Sequence, residues 1–229
     1  MIALMRVVPH NQINMSENEK DQNEDRSKWS VQQWTDYARE LNKDLKGANL
    51  EGARLWCADL KGANLEGADL KRANLKGANL NKTRLEKANL EKANLEGAYL
   101  RADLWGARLK GANIEGAYLK GTNLGEANLD HANLRGAYLK GARLRSASLR
   151  YTNLRGVSLE GADLMDAILY GANLRGANLE GANLKGANLE DANLEGANLE
   201  GAYLWGARLK GANIEGHDLD DLRKRVAGF

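Results

Sequence analysis

From Leu45 onward the chain places a large aliphatic residue at every fifth position, an alanine two places before it, and a polar residue between the two. A period of five fits neither the 3.6 of a helix nor the 2.0 of a plain strand, so each unit is predicted to be a short extended piece followed by a corner. In pleated backbone, residues two apart share a side, which points Leu and Ala inward and the Asn or Asp between them outward. Glycine two places after Leu falls at the corner, where a type II turn asks for a positive φ. Units of this kind build a solenoid.

The Leu centres run from Leu45 to Leu100 in steps of five, which is 12 units, and from Leu104 to Leu219, which is 24, for 36 in all. One step of four separates the two runs, in "YLRADLWG". Residues stacked on successive coils share a column, and every fourth unit gives unbroken columns: Asn74, Asn94, Asn113, Asn133, Asn153 and onward to Asn213, with Gly77, Gly97 and Gly116 onward to Gly216. Tyr99, Tyr118 and Tyr138 form a third column at the same spacing. Four units per coil, about 20 residues, give about nine coils and a rod about 43 Å long at the usual strand spacing. The stretch "KGANLEGADLKRANLKGANL" resembles the pentapeptide-repeat family, whose unit is written A(D/N)LXX, and the resemblance covers residues 43–221. It implies an all-β solenoid, a right-handed quadrilateral β-helix. Departures are few: Thr83, Thr122, Thr152, Val157 and His217 replace the inward Ala, and Ile114 and Ile214 replace Leu.

The open ends of a solenoid are sheet edges and are expected to be capped. Residues 1–29 read as a polar, flexible segment in which translation could start at Met1 or Met15. Ser30 and Gln33 stand at capping-box spacing ahead of Val31, Trp34, Ala38 and Leu41 on one helical face, which predicts a cap helix over Val31 to Leu41 within 30–42. The last stretch, "DLDDLRKRVAGF", has acids first and bases last, the charge order a helix prefers, and predicts a small C-terminal helical cap over 222–229. Its apolar tip at Val226 and Phe229 could instead serve an end-to-end homodimer, so monomer and end-to-end homodimer both stand. The sequence "LWGARLKGANIEG" occurs at 104–116 and again at 204–216, a sign of block duplication.

Composition narrows the function. A net charge of +2 in 229 residues advertises neither an acidic DNA mimic nor a polycation. One cysteine, Cys57, excludes an internal disulfide and fits the cytoplasm. No run approaches the length of a membrane span. His10, His131 and His217 do not cluster, the interior is filled by Leu and Ala, and no nucleophile triad, phosphate loop or metal-ligand spacing is present, so no catalytic residue, metal or cofactor is expected. On one outward ladder the sign alternates from Glu51 through Lys71, Glu91, Lys110 and Asp130 to Arg150. Such exposed pairs contribute about 0–1 kcal/mol each, against about 1.5–3 kcal/mol for each buried Leu.

Alternation fails between His131 and Leu159, where Arg135, Lys140, Arg143, Arg145, Arg150 and Arg155 occur without an acid and Arg175 continues the column of Arg135 and Arg155. This belt, with the Tyr99, Tyr118 and Tyr138 column, is the candidate partner-binding surface; solvated charge and ring stacking for stability are the plainer readings. Trp105 and Trp205 are also expected to be exposed. The expected role is that of a non-enzymatic scaffold binding a protein or other acidic macromolecule. The family resemblance also implies gyrase-binding mimics of duplex DNA, which the charge opposes, and regulators of bacterial, notably cyanobacterial, differentiation. Nucleic acid is possible only as a weak, salt-sensitive partner of the belt.

Overall fold

The computed structural model describes residues 44–227. The expected helix from Val31 to Leu41 and the polar segment before it lie outside the described residues. The chain winds as a solenoid with four parallel bridge ladders, one per side: face A from Asp44 to Tyr203, face B from Asn49 to Arg208, face C from Arg54 to Asn213 and face D from Asp59 to Asn198. Partners on a ladder are 20 residues apart, except between Arg84 and Tyr118, where the coil containing Leu100 and Leu104 closes in 19.

The unit repeats because it satisfies every backbone donor it carries. In the unit around Leu134, the Asn133 N–H donates to Ala112 of the preceding coil, and the N–H groups of Leu134 and Gly136 donate to Asn153 and Arg155 of the following coil. The Ala137 N–H closes the corner onto the Leu134 carbonyl at 3.0 Å. The remaining donor, Arg135 N–H, is taken by the side-chain oxygen of Asn133 at 3.2 Å. That last bond explains why the outward residue is Asn or Asp: both accept through Oδ1 from the residue two places on. Only Asn can also donate, and Asn Nδ2 groups donate to the Oδ1 one coil back, as Asn153 does to Asn133 at 3.0 Å and Asn64 to Asp44 at 3.1 Å.

Leu and Ala point inward as expected and are buried from Leu45 to Ala207, except for Ala102 at the short step, which is partly buried. The corner position has a positive φ throughout: at Gly136 it is +62°, and eleven other residues, among them Cys57, His131 and Tyr151, adopt it without being glycine. The fold therefore imposes left-handed backbone at about 1–2 kcal/mol per non-glycine corner. Inward polar substitutes follow one rule. Thr83, Thr122 and Thr152 are buried and donate their hydroxyls to the carbonyls of Leu60, Leu100 and Leu129, at 2.9, 2.5 and 2.9 Å. His217 does the same through Nε2 to Leu194 at 3.0 Å.

The helix α1 spans Leu219–Ala227. It begins inside the last unit counted from the sequence, because Asp218 Oδ1 accepts from the N–H groups of Asp220 and Asp221 and starts a helix there. Leu222 is buried against the last coil, Arg225 donates to the carbonyls of Leu199 and Ala202, and the Gly206 N–H donates to Val226. Among the described residues no helix is long and apolar enough to cross a membrane.

Candidate partner-binding face

Each unit turns the chain onto the next face, so six bases in sequence between residues 135 and 155 ring the rod instead of converging. Arg135, Arg155 and Arg175 do stack, on the corner between faces C and D. Lys140 stands on the opposite edge of face D, Arg143 on face A, Arg145 on the corner between A and B, and Arg150 on the corner between B and C. Four of the seven have acidic neighbours: Lys140 pairs with Glu160 at 2.7 Å, Arg145 with Asp163, Arg150 with Asp130 at 3.9 Å and Arg175 with Glu195 at 2.9 Å. Arg135, Arg143 and Arg155 form no ion pair among the described residues. As a continuous basic belt the surface is thus largely neutralised from the coils above and below.

The three tyrosines stand one above another, as their spacing in the sequence predicts. Tyr99, Tyr118 and Tyr138 occupy the outward position of three successive coils on face D. Their rings stack with centroids 5.0 Å apart and interplanar angles of 8° and 5°, and each ring remains about half exposed, at 48%, 46% and 50%. A Tyr there gives up both hydrogen bonds of the Asn it replaces. In the Tyr99 coil, Asn81 from the coil before supplies the missing acceptor to the Arg101 N–H at 3.2 Å. Each Tyr thus forgoes up to two hydrogen bonds of about 1 kcal/mol, while the two stacked pairs of the column return only about 0.5–1.5 kcal/mol each, so stacking does not make up the loss. Stability alone gives little reason for the column, whose rings remain half exposed.

Face D is framed by two charged edges. Across Tyr99 stand Glu96 and Arg101, across Tyr118 Glu115 and Lys120, and across Tyr138 Arg135 and Lys140. Beyond the rings, Arg155 and Glu160 flank Ser158, and Arg175 and Glu180 flank Asn178. The bases therefore make a diagonal band across the face, with acids on both sides of it. The spacing in the sequence already stacks Lys120 one coil from Lys140, whereas sequence reasoning missed Arg101, although it sits two places after a tyrosine of the column.

A second aromatic cluster lies on the corner between faces B and C. His131 stacks on Tyr151 at 5.3 Å, and Tyr151 meets Tyr170 edge-on at 5.5 Å. The Tyr170 hydroxyl is pushed up to about 12, first by its hydrogen bond to Asp191 and then by that carboxylate's charge. Trp105 and Trp205 are exposed as expected, the former beneath the Lys87 ammonium at 5.4 Å. Cys57 is exposed at a corner. Among the described residues no group of His, Cys, Asp and Glu is arranged to hold a metal.

The family model described as pentapeptide repeats matches the chain in 8 copies, across residues 44–81, 68–101, 100–125, 122–161, 147–186 and 187–221. Among solved structures, HetL, a pentapeptide repeat protein involved in heterocyst differentiation regulation from the cyanobacterium Nostoc sp. strain PCC 7120, is 37% identical over 81% of this chain and 93% of that one, with a TM-score of 0.44. A pentapeptide repeat protein from the Arabidopsis thaliana thylakoid lumen is 28% identical over 51% of this chain and 88% of that one, with a TM-score of 0.45. QnrB1, a plasmid-mediated fluoroquinolone resistance protein, is 20% identical over 79% and 93%, with a TM-score of 0.47. No curated protein sequence matches the chain. With its matched segments running from Asp44 through the last coil, this chain belongs to the pentapeptide-repeat family.

Proposed function

We propose that this protein is a non-enzymatic scaffold or regulator that binds a macromolecular partner through face D of a right-handed, nine-coil rod, with helices at both ends. The observation that carries the reading is the half-exposed tyrosine stack framed by charged edges, on a rod whose described coils are filled by Leu and Ala. Aromatic rings with flanking bases are the composition of interface centres. The chain would act in the cytoplasm, where an exposed thiol such as Cys57 stays reduced. A regulatory role would parallel that of HetL in heterocyst differentiation. A gyrase-binding mimic of duplex DNA fits less well, since such mimicry needs an acidic rod and the net charge is +2.

The test is affinity capture from source-cell extract with wild type, Tyr118→Glu and, as a control on the far face, Lys110→Glu. A partner held by wild type and by Lys110→Glu but lost by Tyr118→Glu, with circular dichroism unchanged, supports face D as the site. Equal capture by all three removes it.

A further inference from the structure

The two charged edges of face D oppose each other row by row. Glu96 lies across from Arg101 and Glu115 across from Lys120 in the lower rows; Arg155 lies across from Glu160 and Arg175 across from Glu180 in the upper ones. Of these five rows only that of Tyr138, with Arg135 and Lys140, carries the same sign on both edges; in the Asn198 row beyond them Glu195 and Glu200 are both acidic. Within one chain this opposition brings no attraction, because every ion pair recorded near the face runs up a corner, as Lys76 to Glu96 and Lys140 to Glu160 do, and none crosses it. Arg101, Glu115, Lys120, Arg135, Arg155 and Glu180 make no ion pair at all among the described residues. Acid facing base across a central apolar column is, however, the pattern a two-fold axis needs: rotation about a line parallel to the rod lays the left edge of one copy on the right edge of the other.

We propose that face D pairs with face D of a second copy of this chain, two rods lying side by side in the same direction with their tyrosine columns in register. Each tyrosine then packs on its own mate, and each acid meets the base from the same row: Glu115 meets Lys120 of the other copy, and Arg155 meets Glu160. The repulsive Tyr138 row is tempered by Glu160, which already holds Lys140 at 2.7 Å. Five rows at about 4.8 Å per coil span about 24 Å. That footprint is near the low end of specific interfaces, which makes the dimer concentration-dependent and salt-sensitive, not obligate. This inference rests on face D being the binding surface and names its partner.

The experiment is sedimentation equilibrium of the purified full chain between about 1 and 200 µM, a range that brackets micromolar association. A monomer–dimer equilibrium that weakens with added salt is expected. Glu115→Arg sets base against base twice per dimer and should weaken association at least tenfold; Lys120→Glu added to it reverses both members of the row and should restore association to within about threefold. Rods paired in opposite directions would set Glu115 against Arg155, so in that arrangement the double change would leave association broken and overturn the proposal. Tyr118→Glu should abolish the dimer while the melting temperature of the monomer is held. A chain that stays monomeric at the highest concentration also overturns self-pairing, and leaves capture of a different partner by face D to stand or fall on its own experiment.

Discussion

At the scale of the residue, the unit's hydrogen bonds make its exceptions predictive. The single four-residue step omits the corner residue after Arg101, so Ala102 stands two places after Leu100 instead of three and, among the described residues, no backbone N–H closes onto the Leu100 carbonyl as that of Ala137 does onto Leu134. Leu100 therefore keeps one recorded acceptor bond, from the Thr122 hydroxyl at 2.5 Å, whereas the Leu129 carbonyl accepts both Thr152 and the Ala132 N–H. Thr122→Val should consequently leave a buried carbonyl unpaired and cost about 1–3 kcal/mol, against about 0.5–1.5 kcal/mol for Thr152→Val, where the carbonyl stays bonded. Urea denaturation midpoints of the two variants measure the difference; equal losses would mean that the short step is not where the backbone is short of donors. Tyr170 gives a second prediction. Its folded value, near 12, lies above the ordinary 10, so its hydroxyl bond to Asp191 is fully present below pH 10 and is lost as pH rises toward 12. Alkaline denaturation of wild type should begin to outpace that of Tyr170→Phe in that window, and one tyrosine should ionise later than the rest when absorbance is followed against pH. Coincident alkaline profiles would remove the Asp191 bond.

At the scale of the element, the corner and the terminal helix differ in how much the sequence reveals. Gly two places after Leu announces a positive φ, and the pattern is regular enough to carry Cys57, His131 and Tyr151 into it by position alone. The start of α1 was harder to read, because Asp218 plays the same card in both settings. An outward Asp in the repeat accepts from the N–H two places on, and so does a helix N-cap. Only the missing coil beyond it decides that Asp218 caps a helix beginning at Leu219, three residues ahead of the expected 222–229 cap. Its carboxyl is held below the usual range by the Asp221 and Asp220 N–H groups. Asp218→Ala should then cost about 0.5–2 kcal/mol, the usual loss for an N-cap. Hydrogen exchange should show the loss confined to α1 and the last coil it covers; a loss of protection along the whole rod would mean that the helix does more than close an end.

At the scale of the whole molecule, the five-residue period fixes which side chains go inside, and the 20-residue columns place the tyrosines above one another before any coordinate is seen. The same period hides where consecutive bases go. Residues five apart in sequence are close along the chain yet sit on successive faces, so a run of six bases looks like a patch and is a ring, while Arg101 and Lys120 frame the tyrosines from other stretches of sequence. Energetically the rod is a stack in which each coil touches only its two neighbours. Leu134 is 0% exposed in the middle of that stack and Leu204 is 2% exposed in the coil beneath α1. Leu134→Ala opens a cavity that coils on both sides hold rigid, so the full cost of about 2–5 kcal/mol is expected. At Leu204 the last coil and α1 can give way locally without unwinding the rest, and the loss in global stability should be smaller, below about 2 kcal/mol, with local fraying appearing in its place. Denaturant midpoints for the global term and hydrogen exchange of the last coil for the local one separate the two effects. If Leu204→Ala lowers the global midpoint as far as Leu134→Ala does, the rod unfolds as one indivisible unit and the nearest-neighbour description of it is wrong.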